Sequence, residues 1–168
     1  MGIEIERKFL VANEGWRRDA ERIPGARSTF MRQGYLSSNA DRIVRVRIDG
    51  EQAVLTIKGK AQGEGGPGSI SRGEWEYPIP VADAQELLGK LCEQPLIEKV
   101  RHRIPYAGLV WEVDEFFADN AGLVVAEVEL ESEQQEFARP AWLGEEVSHD
   151  RRYANANLLK HPFSQWNK

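Results

Sequence analysis

The stretch IEIERKFLV, residues 3–11, alternates with period two. Glu4, Glu6 and Lys8 fall on one face, while Ile3, Ile5, Phe9 and Val11 supply the apolar positions, the spacing of a half-buried strand. Taken alone, a charged face of this kind belongs on the solvent side of a sheet. Whether it faces out or in decides the fold, and the other strands pose the same question.

Working outward, runs of strand character lie at 29–36, 42–49, 52–59, 70–79, 97–106, 108–116 and 122–131. Asp49-Gly50 and Ala107-Gly108 sit between alternating runs and predict hairpins, hence antiparallel pairing; Asn120-Ala121-Gly122 marks a further turn. The segment 81–94 has helical spacing at Val81, Ala84, Leu87, Leu88 and Leu91, with Pro78 and Pro80 before it and Pro95 after it. A short helix is expected at 132–138 and another through 151–160. The Gly-rich segment 61–69, AQGEGGPGS, reads as a hairpin connection. It is no P-loop, since it lacks a following Lys-Ser/Thr and opens no helix. No repeat or composition break divides the chain, so residues 1–168 are expected to form a single domain.

The period-two test gives the same result on strand after strand. Arg45 and Arg47 share a face, as do Thr56 and Lys58, Glu74 and Glu76, Lys99, Arg101 and Arg103, Glu112 and Asp114, and Glu127, Glu129 and Glu131. The opposite faces are mostly apolar. Like charges side by side on one strand repel, and a surface built for solubility mixes its signs. Segregated pairs make sense when something multiply charged binds between them. A closed barrel with the charged faces inward offers that arrangement. The expected fold is therefore α+β, mainly β: an eight-stranded antiparallel closed β-barrel, a tunnel, with helices packed outside.

Composition bounds the chemistry. The formal net charge of −5 over 168 residues argues against a general nucleic-acid binder. Cys92 is the sole cysteine, which rules out an intrachain disulfide and a structural cysteine-zinc site. No apolar run approaches the roughly 18 residues that a membrane-spanning helix needs, and a cytoplasmic setting is expected. Arginine forks and lysines would grip a polyanion, and clustered carboxylates without thiols favour magnesium or manganese over zinc or copper. Polyanion, metal and carboxylate together describe phosphoryl-transfer or phosphohydrolase chemistry.

At this point the chain resembles the CYTH superfamily of triphosphate tunnel metalloenzymes. The resemblance rests on Glu4-x-Glu6-x-Lys8, Arg45-x-Arg47, Thr56-x-Lys58, Glu74-x-Glu76, Lys99-x-Arg101, Glu112-x-Asp114 and Glu127-x-Glu129, in the family's order over nearly the whole chain. RQGYL at 32–36 and GEEVSHDRRYANANL at 144–158 also look like its short bacterial members. The resemblance implies metal-dependent hydrolysis of inorganic triphosphate to pyrophosphate and phosphate. It implies catalytic and metal-binding roles for Glu4, Glu6, Glu127 and Glu129, with Asp114 a further metal ligand. Magnesium is the expected cation and manganese the alternative. Lys8, Arg45, Arg47, Lys58, Lys99 and Arg101 would hold the triphosphate.

Other positions keep two readings. Arg103 is a substrate contact or a salt bridge at the tunnel mouth. Glu74 and Glu76 orient the cations or join the metal site, and Glu112 supports them; Glu131 is an accessory or a surface residue. Tyr153, in a C-terminal segment expected to cover one end of the tunnel, hydrogen-bonds phosphate or packs, and Arg32 and Tyr35 carry the same ambiguity. His102 lies on an apolar face, where a structural role is the default. The expected partner is a small-molecule triphosphate, with a homodimer allowed for, and neither nucleic acid nor membrane. Alternative functions are a class IV adenylate cyclase, a thiamine triphosphatase, or a polyphosphate- or nucleotide-binding module without turnover.

Overall fold

The computed structural model describes residues 2–61 and 70–166; most of the Gly-rich segment 61–69 lies outside the described residues. Among the described residues there are nine strands: β1 (Gly2–Val11), β2 (Arg27–Asn39), β3 (Arg42–Asp49), β4 (Gln52–Gly59), β5 (Ile70–Ile79), β6 (Ile97–Tyr106), β7 (Leu109–Phe116), β8 (Val124–Glu129) and β9 (Leu143–Glu146). They pair in the order β5-β4-β3-β2-β6-β7-β8-β1-β9, and β5 pairs with β1 as well. That last pairing closes β1 to β8 into an eight-stranded antiparallel barrel, with β9 attached to β1 from outside the closure.

Both anticipated hairpins form. Gly50 at φ +61° turns β3 into β4, and Ala107 at φ +48° with Gly108 at φ +84° turns β6 into β7. Two positive φ values in succession match the twist of the flanking strands, which is why this loop needs only two residues. Three α-helices among the described residues accompany the barrel: α1 (Gly15–Arg22), α2 (Val81–Lys90) and α3 (Asn155–Lys160).

Two apolar clusters lie outside the wall. One gathers Phe9, Ile104, Trp111, Val113, Ala126 and Val128 from the strands with Trp16 of α1 and Trp142. The other joins Val46 and Ala53 to Ala84 and Leu88 of α2 and to Cys92. Gly34 lets α2 and the turn after it sit flush on β2: a Cβ there would lie 2.9 Å from Cys92 Cβ and 2.7 Å from Leu96 Cδ2.

A third cluster lies at one end of the barrel, not around it. Tyr35, Ile43, Ile97, Phe116 and Val125 are the next inward positions after Gln33, Arg45, Lys99, Asp114 and Glu127, so five strands switch from polar to apolar at this end. Leu10 does the same on β1, and Val147, Tyr153, Ala156, Leu158 and Leu159 from the C-terminal segment complete the fill.

Three differences from the sequence reading have physical causes. Residues 132–138 form a turn and irregular chain, not a helix, because Phe137 is drawn onto Trp111 and Phe9, with ring centroids 5.7 and 6.2 Å away, and is flanked by the guanidinium groups of Arg7 and Arg139. The stretch 151–160 is a 3₁₀ turn at Arg151–Tyr153 followed by α3, and it packs into the barrel end instead of against the outer wall. Finally, α1 and β9 went unforeseen: α1 buries only Trp16, and β9 is four residues, none of them buried, whose identity as a strand comes from pairing with β1.

Candidate active site

The inward faces enclose a cavity of about 320 Å³. Glu4, Glu6 and Lys8 of β1, Arg45 and Arg47 of β3, Lys58 of β4, Glu74 and Glu76 of β5, Lys99, Arg101 and Arg103 of β6, Glu112 of β7, and Glu127 and Glu129 of β8 all line it. Strand alternation delivers these side chains, and register decides which of them meet. In the register Arg101 faces Asp114 and Arg103 faces Glu112, while Glu6 faces Glu129 and Lys8 faces Glu127.

The basic wall is internally braced. Asp114 sits behind it, fully buried and not lining the cavity. It accepts from Lys99 Nζ at 2.7 Å and from Arg101 Nε and Nη2, both at 2.8 Å. Burial alone would raise this carboxyl, but Arg101 and Lys99 hold it well below the usual carboxylate range. Lys99 is nonetheless pulled down to about 7, first by burial and then by Arg101 and Arg47, against the attraction of Asp114. Arg47 falls to about 9 through burial and the neighbouring Arg45 and Arg101. Lys99 and Arg101 share one buried carboxylate, and Arg101, which also reaches Glu112, is held well above its ordinary value, so the shortage of anions falls on Lys99 and Arg47. Arg45 Nε and Arg72 Nε, both buried, have no hydrogen-bond partner among the described residues.

The acidic wall has the reverse deficit. Burial and the adjacent Glu4 lift Glu74 to about 8 despite Lys58. Glu127 is raised by burial and Glu6, Glu129 by burial and then Glu4, Glu112 and Glu6. Glu4 is held low, because Lys58 Nζ donates to its two oxygens at 3.0 and 3.1 Å and outweighs the cost of burial. Lys8 Nζ lies 3.6 Å from Glu127 Oε1. An all-oxygen set of crowded carboxylates suits a hard divalent cation. Among the described residues no three His, Cys, Asp or Glu side chains converge into a closed nest, and Glu4 is turned toward Lys58 instead.

The other candidates fall as follows. Arg103 lines the cavity and donates to Asp49 Oδ2 and Thr29 Oγ1 at 2.8 and 2.9 Å. Tyr35 also lines it. Tyr153 does not: it packs edge-on against Trp166, with centroids 5.1 Å apart, in the apolar end. Arg32 pairs with Glu98, and Glu131 is exposed; neither lines the cavity. His102 has its ring on Trp16 and its nitrogens on Ser28 and Glu115, outside the barrel. Sequence reasoning passed over Arg72, Asp49, Gln33 and Asn155. Arg72 precedes Glu74 by two residues, so alternation alone could have placed it inside; Asn155 enters through the path of the C-terminal segment, for which no periodicity speaks.

Comparison with known proteins gives a consistent picture. The CYTH domain model matches residues 2–160. An inorganic triphosphatase of Acetivibrio thermocellus is 44% identical over 166 residues, 99% of each chain. An inorganic triphosphatase of Nitrosomonas europaea is 37% identical over 162 residues, covering 92% of this chain and 95% of the other. A solved structure of an inorganic triphosphatase superposes with a TM-score of 0.62 at 32% identity, over 95% of both chains.

Proposed function

Because the chain belongs to the CYTH domain family, we propose that it hydrolyses inorganic triphosphate to pyrophosphate and phosphate inside the barrel, with magnesium, or manganese in its place, as the cation. One observation carries this reading. Within one cavity Arg47 and Lys99 are pushed down while Glu74, Glu127 and Glu129 are pushed up, so both groups lack counter-charge. A polyphosphate and a hard cation, bound together, relieve both deficits at once.

Each residue then has a distinct task. Arg45, Arg47, Lys99, Arg101 and Arg72 surround the phosphate oxygens, with Lys8 and Arg103 at the flanks of the same surface. Asp114, expected from the resemblance among the metal ligands, holds Lys99 and Arg101 in place instead. Its oxygens face those two cations, and it does not line the cavity. Glu4, Glu6, Glu127 and Glu129 would hold the metal, with Glu74, Glu76 and Glu112 beside them. When bound, the metal neutralises developing charge and lowers the pKa of an attacking water. Lys58, now engaged by Glu4, is free to turn to phosphate once a cation takes its place on that carboxylate. The intact carboxylate set weighs against a binding module without turnover, because phosphate capture alone gains nothing from several buried acids. The setting proposed is the cytoplasm, within one domain.

The test is phosphate release from tripolyphosphate, ATP and thiamine triphosphate with magnesium, with manganese and with chelator. Tripolyphosphate should turn over fastest, and chelator should abolish the reaction. Cyclic AMP from ATP, with no phosphate from tripolyphosphate, would replace this reading with a cyclase.

A further inference from the structure

Asn155, the first residue of α3, lines the cavity between Ala154 and Ala156. Its Oδ1 accepts from Gln33 Nε2 and from Lys99 Nζ, both at 3.0 Å. Gln33 Oε1 in turn accepts from Arg47 Nε at 2.9 Å. Arginine only donates, so Arg47 forces the polarity of this relay. Gln33 must turn its carbonyl to Arg47 and its amino group to Asn155, and Asn155 must turn its carbonyl to both neighbours. With both lone pairs occupied, Asn155 can offer a further partner only N–H donors. Gln33 and Lys99 are fully buried, so the relay is locked between β2, β3 and β6.

Beyond this point the inward positions turn apolar: Tyr35, Ile97 and Phe116 meet Leu158 and Leu159 there. A phosphoryl group moved deeper would lose water and gain no partner. The side of Asn155 facing the cavity is therefore a floor. A terminal phosphoryl group, all of whose outer oxygens accept hydrogen bonds, can rest on it; an ester carbon or a continuing chain would have to enter the fill.

We propose that Asn155 is a positioning residue that sets where the inner end of a phosphate chain stops, so that the cavity takes chains with a free terminal phosphoryl group and rejects chains capped at both ends. This rests on the triphosphatase reading of the same cavity, and the experiment separates the two.

Equilibrium binding, measured by calorimetry in chelator, would compare three probes on the wild-type protein: tripolyphosphate, a nucleoside triphosphate, and a tetraphosphate esterified by a nucleoside at each end, which carries the same full charge as the nucleoside triphosphate. The doubly capped probe should bind at least ~100-fold more weakly than the singly capped one, the loss expected when several charged hydrogen bonds cannot form. Asn155→Ala and Gln33→Ala should each raise Kd and KM for tripolyphosphate about tenfold, with kcat changed less than about threefold. The double variant should be no worse than either single change, because both break one relay. Asn155→Asp keeps the acceptors but replaces the donors with charge, and should raise KM further. Doubly capped binding within about threefold of singly capped binding overturns the proposal. So does an Asn155→Ala protein with lowered Tm and unchanged KM. Should that variant not fold, the wild-type probe comparison decides alone. Wild-type protein that binds tripolyphosphate but releases no phosphate, with the probe ranking intact, fails as a triphosphatase and keeps the floor. Protein that hydrolyses tripolyphosphate yet binds the capped probes alike keeps the activity and loses it.

Discussion

The basic and acidic walls of the cavity are built on different principles. The basic wall carries its own brace: Asp114, buried behind it, fixes Lys99 and Arg101 at three contacts of 2.7–2.8 Å. The acidic wall is held more loosely: Lys58 engages Glu4 and Lys8 lies 3.6 Å from Glu127, yet the carboxylates crowd one another until Glu74 is raised to about 8. One wall is organised before anything binds; the other is organised by what binds. Preorganised cations hold a polyanion with little loss of side-chain freedom, whereas carboxylates that repel in isolation become a site when a cation arrives.

Changes on the acidic wall test that contrast hardest. Glu4→Gln and Glu127→Gln should each lower metal-dependent kcat at least ~100-fold, with the fold intact by circular dichroism, since removing a metal ligand removes transition-state charge stabilisation. Full activity in either variant would move the metal site elsewhere. Asp114→Asn should do the opposite kind of damage. It strands Lys99 and Arg101 in a buried setting, at a cost of about 3–5 kcal/mol in denaturant unfolding. A loss below ~1 kcal/mol would mean that the brace is not a brace. Arg45→Ala, on the basic wall but outside that brace, should weaken tripolyphosphate binding ~10- to 100-fold with little change in stability. Unchanged affinity would show that the second arginine pair is not a phosphate contact.

The smallest effect concerns pH. Lys99, at about 7, lies below its ordinary value, so it gives up its proton as pH rises through that point. An anion favours its charged form. Metal-free tripolyphosphate binding should therefore weaken severalfold between pH 7 and 9, with proton uptake visible as a buffer-dependent binding enthalpy. For stability the sign differs. A lysine depressed from 10.5 to about 7 leaves the unfolded chain holding more protons between those values, so the Lys99 contribution grows with pH across that window. Glu74, raised from 4.5 to about 8, gives a contribution that falls between those values.

Much of this was legible in the chain. Period-two alternation located seven charged faces, and their segregation by sign turned those faces inward. What alternation cannot supply is register and the path of irregular chain. Glu112 and Asp114 look equivalent in sequence, yet pairing puts Asp114 between two cations behind the wall and leaves Glu112 on the cavity. Phe137 looked like a helical residue because the helical reading does not register the Trp111 ring it packs on. Arg72 lies in the run read as a strand, two residues before Glu74, but stands alone as a cation beside an acidic pair; its place opposite Glu4 comes from the pairing of β1 with β5.

The pairing of β1 has a kinetic consequence. Its first half joins β5 through residues 2–6 and 70–74, and its second half joins β8 through residues 6–10 and 125–129. The hairpins β3–β4 and β6–β7 bring together residues close in sequence, but these two seams close loops of dozens of residues, and such contacts form late. Glu4 and Glu6 sit on one side of the second seam, Glu127 and Glu129 on the other. The carboxylates proposed for the metal are thus assembled only when the chain shuts on itself, and a cation held between them would double as a clasp on the last joint to form.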